Sequence, residues 1–179
     1  MGKRGFVYCH MRILGKLSKE VLVMEIEKKF LVKHMPSDLE QYPCVKIEQG
    51  YLSVNPVIRI RKWNDEYILT YKRREQGKHE NSVCVNQEVE LPLTEESYSN
   101  LKKKIDGKMI TKERYIIPYG DKKIELDCFH GSYEGMIMAE VEFPTIQEAE
   151  CFEKPEWFGE NVSGDSHYTN AYLALGVDF

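Results

Sequence analysis

Residues 24–31 read MEIEKKFL, and the polar residues Glu25, Glu27 and Lys29 recur there at every second position. Alternation with a period of two is typical of a β-strand, whose successive side chains point to opposite faces of the sheet. The intervening residues are mostly apolar. The stretch therefore predicts an amphipathic strand with an unusual polar face, in which two acids are followed by a base.

Seven further segments alternate in the same way, with turn residues between several of them. The predicted strands are 24–32, 45–54, 57–63, 67–73, 83–91, 109–117, 123–129 and 136–143. Short helices are predicted from Pro36 to just before Pro43, from a Thr94 cap to a Gly107 stop, after a Thr145–Glu148 capping box, and over 168–175.

Eight mostly antiparallel strands in one domain, 24–176, favour an α+β fold. We predict an eight-stranded antiparallel β-barrel, or tunnel, that is closed or nearly closed and carries its helices on the outside. Residues 1–23 hold five Lys or Arg against one Glu, and we interpret them as an N-terminal extension of unknown role.

The polar alternate positions carry charges that are sorted by sign. Like-charged pairs occupy six strands: Glu25/Glu27, Glu88/Glu90, Glu125/Asp127, Glu140/Glu142, Arg59/Arg61 and Lys112/Arg114. Lys72 adds a further base on a polar face that it shares with Thr70. A solvated sheet face normally mixes signs, because opposite charges across strands stabilise and like charges repel. At even odds for each pair, six single-signed pairs would arise with a probability of roughly 2%.

These pairs suit an internal lumen with acidic strands facing basic ones. A polyphosphate on the basic strands, bridged by a divalent cation to the acidic strands, would complete the charge match. Arginine presents a planar fork to phosphate oxygens, and carboxylates are the hard ligands that Mg²⁺ and Mn²⁺ prefer. We therefore expect the charged faces to point inward. The alternative, a β-barrel with an apolar interior, leaves the sorted charges unexplained.

Composition limits the classes of function. The net charge of −4 argues against a general nucleic-acid binder, and no run approaches the ~18 apolar residues needed to cross a bilayer. The five cysteines are widely spaced and form no CxxC pair, which favours reduced thiols in a cytoplasmic protein. The five histidines lack the spacing of a zinc site. The sequence leaves a homodimer open.

The same segments resemble the CYTH family, the triphosphate tunnel metalloenzymes, whose signature is an N-terminal ExExK strand. The resemblance begins at Glu25, Glu27 and Lys29 and extends in order to about residue 176. It continues through QGYL (49–52), RIR (59–61), TYK (70–72), EVEL (88–91), KERY (112–115), ELDCFHG (125–131), EVEF (140–143) and WFGENV (157–162). It implies an eight-stranded antiparallel tunnel.

By position, the resemblance also implies roles for the charged residues. The implied triphosphate ligands are Arg59, Arg61, Lys72 and Arg114, with Lys112 a weaker candidate. The implied metal-binding carboxylates are Glu25, Glu27, Asp127, Glu140 and Glu142, while Glu88 and Glu90 are implied to orient water or a second metal. Lys29 and Tyr51 resemble a lysine–tyrosine pair for proton transfer, in which the cation would lower the pKa of the phenol.

One departure bears on the choice of substrate. Relatives often carry a basic pair before a tyrosine, as DKRY, whereas residues 164–168 read GDSHY, with Ser166 and His167 in the place of that pair. One phosphate contact is therefore lost, or becomes pH-sensitive through His167.

The leading expectation is hydrolysis of inorganic tripolyphosphate to pyrophosphate and orthophosphate with Mg²⁺ or Mn²⁺. The alternatives within the fold are a CYTH-type adenylate cyclase and a thiamine or nucleoside triphosphatase. Tyr8, Tyr67, Tyr133 and Trp157 are candidates to stack on an organic group, although packing is the favoured role for each. A non-catalytic polyphosphate-binding module would tolerate loss of the acidic pairs, and their retention speaks against it.

Overall fold

The computed structural model of the chain describes residues 23–74 and 84–176. The predicted extension over residues 1–23 therefore lies outside the described residues, except for Val23, where the first strand begins. In the part that is described, no helix is long and apolar enough to cross a membrane.

Strands make up most of the described chain. They are β1 (Val23–Val32), β2 (Cys44–Val54), β3 (Val57–Trp63), β4 (Glu66–Arg74), β5 (Cys84–Leu93), β6 (Asp106–Tyr119), β7 (Lys122–His130), β8 (Ile137–Phe143) and β9 (Phe158–Asn161). The α-helices are α1 (Glu95–Lys102), α2 (Ile146–Glu150) and α3 (Asn170–Ala174), and the 3₁₀ turns are Leu39–Gln41, Gly131–Tyr133 and Ser166–Tyr168. The helix predicted after Pro36 is thus reduced to one 3₁₀ turn.

Side-chain caps fix the starts of the first two helices where the sequence predicts them. Thr94 Oγ1 accepts a hydrogen bond from the backbone N–H of Ser97 at 3.1 Å. Thr145 Oγ1 accepts one from the backbone N–H of Glu148 at 3.2 Å. Each bond satisfies an N–H that has no partner within its helix, and both predicted N-caps are confirmed.

Gly107 does not stop a helix, as the sequence suggested. The first helix ends at Lys102, and Gly107 lies in β6 with φ +75°. A Cβ at this position would come within 2.0 Å of the carbonyl oxygen of Ala174 in α3. Glycine is required here because it allows both the positive φ and the close approach of α3.

The nine strands form one antiparallel sheet in the order β5-β4-β3-β2-β6-β7-β8-β1-β9, and β1 also pairs with β5. One edge of β1 pairs with β8. The opposite edge is divided, because residues 23–27 pair with β5 whereas Phe30 and Val32 pair with β9. The sheet therefore has the predicted antiparallel, tunnel-like α+β form, but it is not the closed eight-stranded barrel. The pairing between β1 and β5, which forms the seam of the sheet, covers only the first half of β1. The rest of that edge pairs with β9, a strand too short for an alternating pattern to reveal.

The apolar alternate faces of the strands point outward, as predicted, and pack under the helices and loops. The buried residues of this outer core are Ile26, Phe30, Ile117, Ile124, Leu126, Ala139, Val141, Phe143, Ala149 and Phe158. Rings meet at its centre, where the Phe158 centroid lies 4.7 Å from that of Phe30 and 4.6 Å from that of Trp157.

Truncating Phe158 provides a test of the outer core. Phe158 is fully buried, so Phe158→Ala is expected to lower the free energy of unfolding by about 3–5 kcal/mol, through lost burial and the cavity left behind. Urea unfolding measures this loss. Phe158→Leu is the control and is expected to lose less than half as much. A loss below about 1 kcal/mol for alanine, the size of a tolerated core swap, would contradict the assignment of this core.

A second apolar cluster covers one end of the charged strand faces. Its buried residues are Tyr51, Ile110, Phe129, Met138, Leu173 and Ala174. The first four lie on the same strand faces as the charged residues, and the last two belong to α3. Helix α3 therefore packs across this end of the charged surface.

Candidate active site

All the predicted site residues lie on the strand faces opposite the outer core. They are Glu25, Glu27 and Lys29 on β1, Tyr51 on β2, Arg59 and Arg61 on β3, Lys72 on β4, Glu88 and Glu90 on β5, Lys112 and Arg114 on β6, Asp127 on β7, and Glu140 and Glu142 on β8. Most are buried or half-buried, whereas Glu142 is exposed at the end remote from α3. The structure brings them together on one inner surface.

The strand order separates this inner surface into two walls. Strands β7, β8, β1 and β5 are consecutive neighbours and carry the acidic pairs. Strands β4, β3 and β6 carry the arginines and two of the lysines, and β2, between β3 and β6, contributes the neutral Gln49 and Tyr51. Lys29 is the exception, because it lies on the acidic wall. The sorting by sign in the sequence thus becomes an acidic wall and a basic wall.

Ion pairs join the two walls along the border between β6 and β7. The Arg114 guanidinium donates to Asp127 at 2.6 Å through both Nε and Nη2, to Glu140 at 3.0 Å, and to Glu125. Lys112 Nζ also donates to Asp127. Burial acts against the charge of Lys112 and lowers its pKa to about 8, although Asp127 opposes that effect.

A second set of ion pairs lies along the border between β4 and β5. Arg61 Nη2 donates to Glu90 Oε1 at 2.7 Å. Arg59 Nη2 lies 3.6 Å from Glu88, and Lys72 Nζ lies 3.3 Å from the same carboxylate. Ion pairs between the walls therefore neutralise much of the charge along both borders.

Lys29 and Lys72 are held by carboxylates of β1 and β8. Lys29 Nζ lies 2.5 Å from Glu140 and 3.5 Å from Glu27. Lys72 Nζ lies 3.5 Å from Glu27 and donates to Glu25. Burial alone would raise the pKa of Glu140, but Lys29, Arg114 and Lys112 outweigh it and hold that pKa well below its usual range.

Two buried arginine donors on the basic wall suit an anion. Within the described residues, Arg59 Nε and Arg61 Nε are buried and make no hydrogen bond, and an unpaired buried donor is costly. Burial, reinforced by Arg59 and Arg114, lowers the pKa of Arg61 to about 10. A phosphate oxygen beside these forks would satisfy both the free donors and the crowded positive charge.

The inner surface also suits a divalent cation by the chemistry of its donors. Its carboxylates are Glu25, Glu27, Glu88, Glu90, Glu125, Asp127, Glu140 and Glu142, and they lie among the cations Lys29, Arg59, Arg61, Lys72, Lys112, Arg114 and Lys123. Among residues 23–74 and 84–176, however, no three Asp, Glu, His or Cys side chains converge as they would around a bound metal ion. The donor set fits Mg²⁺ or Mn²⁺, and the carboxylates are at present drawn toward lysine and arginine.

Tyr51 differs from the expectation for its pKa. It is buried, and its hydroxyl accepts a hydrogen bond from Gln49 Nε2 at 3.1 Å. Burial raises the pKa of Tyr51, and the opposing effects of Arg59, Lys72 and Lys29 do not overcome that increase. The expected lowering of this pKa is therefore wrong, whereas the roles of Lys29 and Tyr51 in catalysis stay a prediction.

Sequence reasoning missed two inner-surface residues. Glu125 was paired with Asp127 on its strand but was given no role, and it contacts Arg114 and Lys123. Trp63 lies in the predicted strand 57–63 but is given no role by the sequence. Its position two residues after Arg61 on an alternating strand was the signal that it shares the charged face.

The other aromatic candidates pack elsewhere, and Tyr8 lies outside the described residues. Tyr67 packs against Tyr98 with centroids 5.0 Å apart, Trp157 packs edge-to-face against Phe158, and the hydroxyl of Tyr133 donates to the carbonyl of Leu173. The favoured packing role is thus confirmed for these three.

The substituted segment at 164–168 forms a capped turn. His167 is exposed, its Nδ1 lies 2.6 Å from Asp165 Oδ1, and its ring packs edge-on against Tyr172 at 4.6 Å. These contacts account for His167 as a surface residue.

The similarity of this chain to known proteins shows its family. No family model matches the chain. An inorganic triphosphatase of Nitrosomonas europaea is 34% identical over 157 residues, which cover 86% of this chain and 98% of that protein. The chain belongs to the CYTH family. A second relative with the same description, from Acetivibrio thermocellus, is 33% identical over 155 residues and spans 83% of this chain and 92% of its own length.

The CYTH fold is matched by a crystal structure as well. A structure described as an inorganic triphosphatase superposes with a TM-score of 0.64 at 33% identity, and the match covers 88% of this chain and 99% of that one. A conserved hypothetical protein from Pyrococcus furiosus, 21% identical, superposes with a TM-score of 0.51 over 70% of this chain and 83% of its own. This more distant likeness concerns the fold alone.

Proposed function

We propose that this CYTH protein hydrolyses inorganic triphosphate to pyrophosphate and orthophosphate with Mg²⁺ or Mn²⁺, on the inner surface of its curled sheet. The observation that carries the proposal is the division of that surface into an acidic and a basic wall, with buried arginine donors free on the basic side. The pairing of β1 with β5 brings the two walls to face each other across a tunnel-like inner surface. The free thiols of Cys44, Cys128 and Cys151 support work in the reducing cytoplasm.

The basic wall binds the triphosphate chain. Arg59 and Arg61 offer their free Nε donors, and Arg114 and Lys72 offer charges that are already oriented by carboxylates. Lys112 is more deeply buried and paired with Asp127, so it supports Arg114 more than it reaches the substrate. These cations stabilise charge on the transferring phosphoryl group and on the leaving pyrophosphate.

The acidic wall holds the cation. The residues that would bind it are Glu25, Glu27, Asp127, Glu140 and Glu142, with Glu88 and Glu90 orienting water or a second ion. A divalent ion held there would polarise phosphoryl oxygens and offset the negative charge of these carboxylates. A cation bound by these carboxylates would compete with the lysines and arginines now paired with them.

Hydrolysis needs a water in line with the terminal phosphorus. A new P–O bond forms from this water, the bridging P–O bond breaks, and pyrophosphate leaves. One proton of the water stays on the orthophosphate and the other passes to the pyrophosphate. Tyr51 keeps its proton at neutral pH because its pKa is raised, so it acts as a hydrogen-bond donor. Lys29, beside Glu27 and Glu140, supplies positive charge at the same place.

A substrate panel tests the proposal. Tripolyphosphate, ATP and thiamine triphosphate are each incubated with Mg²⁺ or Mn²⁺, and phosphate, pyrophosphate and cyclic AMP are measured. We expect the largest kcat/KM for tripolyphosphate, with one phosphate and one pyrophosphate released per turnover. Rapid release of cyclic AMP would identify a cyclase instead. Tight binding of tripolyphosphate without turnover would identify a binding module.

The pH dependence of metal binding is expected to follow Glu142. Although Glu142 is exposed as a whole residue, partial desolvation of its carboxyl by the surrounding strands, together with the neighbouring Glu125, raises the pKa of Glu142 to about 7. This carboxyl is therefore mostly protonated below pH 7 and is a poor ligand there. Mn²⁺ affinity is therefore expected to increase as the pH rises through 7, and calorimetric titrations at pH 6, 7 and 8 measure it. Glu142→Gln removes the titrating group, and an unchanged pH profile in that variant would contradict the assignment.

A further inference from the structure

Trp63 ends β3 on the charged face, at the end remote from α3. Along this face Val57 packs against the cluster that contains α3, and Arg59, Arg61 and Trp63 follow in turn. The centroid of the Trp63 ring lies 5.1 Å from Cζ of Arg61 and 6.0 Å from Cζ of Arg114. Both distances are in the range of a cation–π contact. One indole therefore joins arginines from β3 and β6, which β2 separates.

Carboxylates hold both arginines from another direction. Arg61 Nη2 lies 2.7 Å from Glu90, and Arg114 Nε lies 2.6 Å from Asp127. With an indole contact added to these ion pairs, the guanidinium planes are fixed before a ligand arrives. The free Nε of Arg61 is then a donor of fixed direction, which reduces the entropy lost when phosphate binds.

This end of the charged surface is the one that meets solvent. Glu142 is exposed there, and the Lys123 side chain, paired with Glu125, is 50% exposed. The opposite end is covered by α3. A triphosphate that reaches Arg61 and Arg114 from solvent therefore does so beside Trp63.

We infer that Trp63 is a specificity-determining residue, which holds Arg61 and Arg114 for a bare terminal phosphate and selects inorganic triphosphate over triphosphates that carry an organic group. The inference rests on the proposed function. A nucleobase that stacked on the indole would compete with the two guanidiniums already in contact with that ring, so the organic group has no net advantage at this end of the surface. Bare phosphate makes full use of both guanidinium forks.

Three variants at Trp63 distinguish the effect of its aromatic ring from the effect of its side-chain volume. Trp63→Leu keeps apolar volume without a π face, Trp63→Phe keeps a π face, and Trp63→Ala removes both. With Mg²⁺ and tripolyphosphate, the leucine and alanine variants are expected to raise KM about 10-fold, with kcat changed by less than about 3-fold, as loss of a partly desolvated cation–π contact requires. The phenylalanine variant is expected to stay within about 2-fold of the original KM. The preference for tripolyphosphate over ATP, as a ratio of kcat/KM, is expected to fall in parallel with the loss of the ring.

The second tryptophan, Trp157, provides a matched control. The chain has two tryptophans, and Trp157 packs in the outer core beside Phe158. In Trp157→Phe, rapid mixing with tripolyphosphate and Mg²⁺ is expected to change the emission of Trp63 within the first turnover. In Trp63→Phe, where only Trp157 emits, no change is expected.

The outcomes separate the inference from the proposed function. If the original protein hydrolyses tripolyphosphate but Trp63→Leu retains its KM and its preference over ATP, the inference is overturned and the triphosphatase stands. If leucine and phenylalanine behave alike, bulk rather than the ring is responsible, and the inference is again overturned. If the original protein hydrolyses no triphosphate, the proposed function fails and takes the inference with it.

Discussion

Glu140→Gln is expected to lower kcat with Mg²⁺ by at least about 1000-fold, the scale of losing a catalytic electrostatic partner. Glu140 is buried at the meeting point of Lys29 and Arg114, and its pKa is held far below the usual range. It is therefore ionised over the working pH range, as a metal ligand must be. Glutamine keeps the shape and loses the charge. Steady-state phosphate release and Mn²⁺ titration measure the effect.

The fold is expected to survive this change. Lys29 keeps Glu27 at 3.5 Å, and Arg114 keeps Asp127 at 2.6 Å, so neither cation is left without a partner. Glu134→Gln is the matched control, because Glu134 is exposed on the connection between β7 and β8. Activity within about 10-fold of the original in Glu140→Gln, below the usual loss for such a partner, would remove Glu140 from the catalytic centre.

Arg59→Ala is expected to raise the KM for tripolyphosphate by about 10- to 100-fold, with a much smaller change in kcat. Arg59 Nε is buried without a hydrogen-bond partner in the described part of the chain, and its Nη2 lies 3.2 Å from Thr70 Oγ1 and 3.6 Å from Glu88. Charge-assisted hydrogen bonds to a phosphate contribute about 1.5–3 kcal/mol each, which corresponds to this change in affinity. Initial rates over a range of tripolyphosphate concentrations provide the KM.

Two controls sharpen the result. Arg73→Ala removes an arginine from β4 that alternates with Lys72 and is exposed on the outer face, and it is expected to leave KM unchanged. Arg59→Lys keeps the charge without the planar fork, and its KM is expected to lie between those of Arg73→Ala and Arg59→Ala. Equal, mild losses for Arg59→Ala and Glu140→Gln would contradict the division of labour between the two walls.

The alternating pattern predicts the inner surface because a strand's period of two leaves little freedom. Once Glu25 and Glu27 lie on one face, Ile26 and Phe30 must lie on the other, and the structure places them so. The first eight strands and the N-caps at Thr94 and Thr145 follow from equally local chemistry. These features are encoded within a few residues of sequence.

Long-range features escape such reasoning. The division of one β1 edge between β5 and β9 depends on pairing across more than 50 residues of chain, and Gly107 is required by its contact with Ala174 rather than by a helix end. The raised pKa of Tyr51 has a similar origin, because the apolar cluster that buries it comes from five separate elements. The spacing of residue types along a strand or helix does not reveal these distant partners.

Helix α3 covers one end of the inner surface of the curled sheet. Leu173 and Ala174 pack across one end of the charged surface together with Phe129 and Met138, so among the described residues the end that carries Glu142 is the more exposed one. A substrate that enters at this end and both of its products use the same opening, so the inner surface works as a pocket that is open at one end. The orientation in which the triphosphate binds then decides whether orthophosphate or pyrophosphate is formed nearer the exposed end.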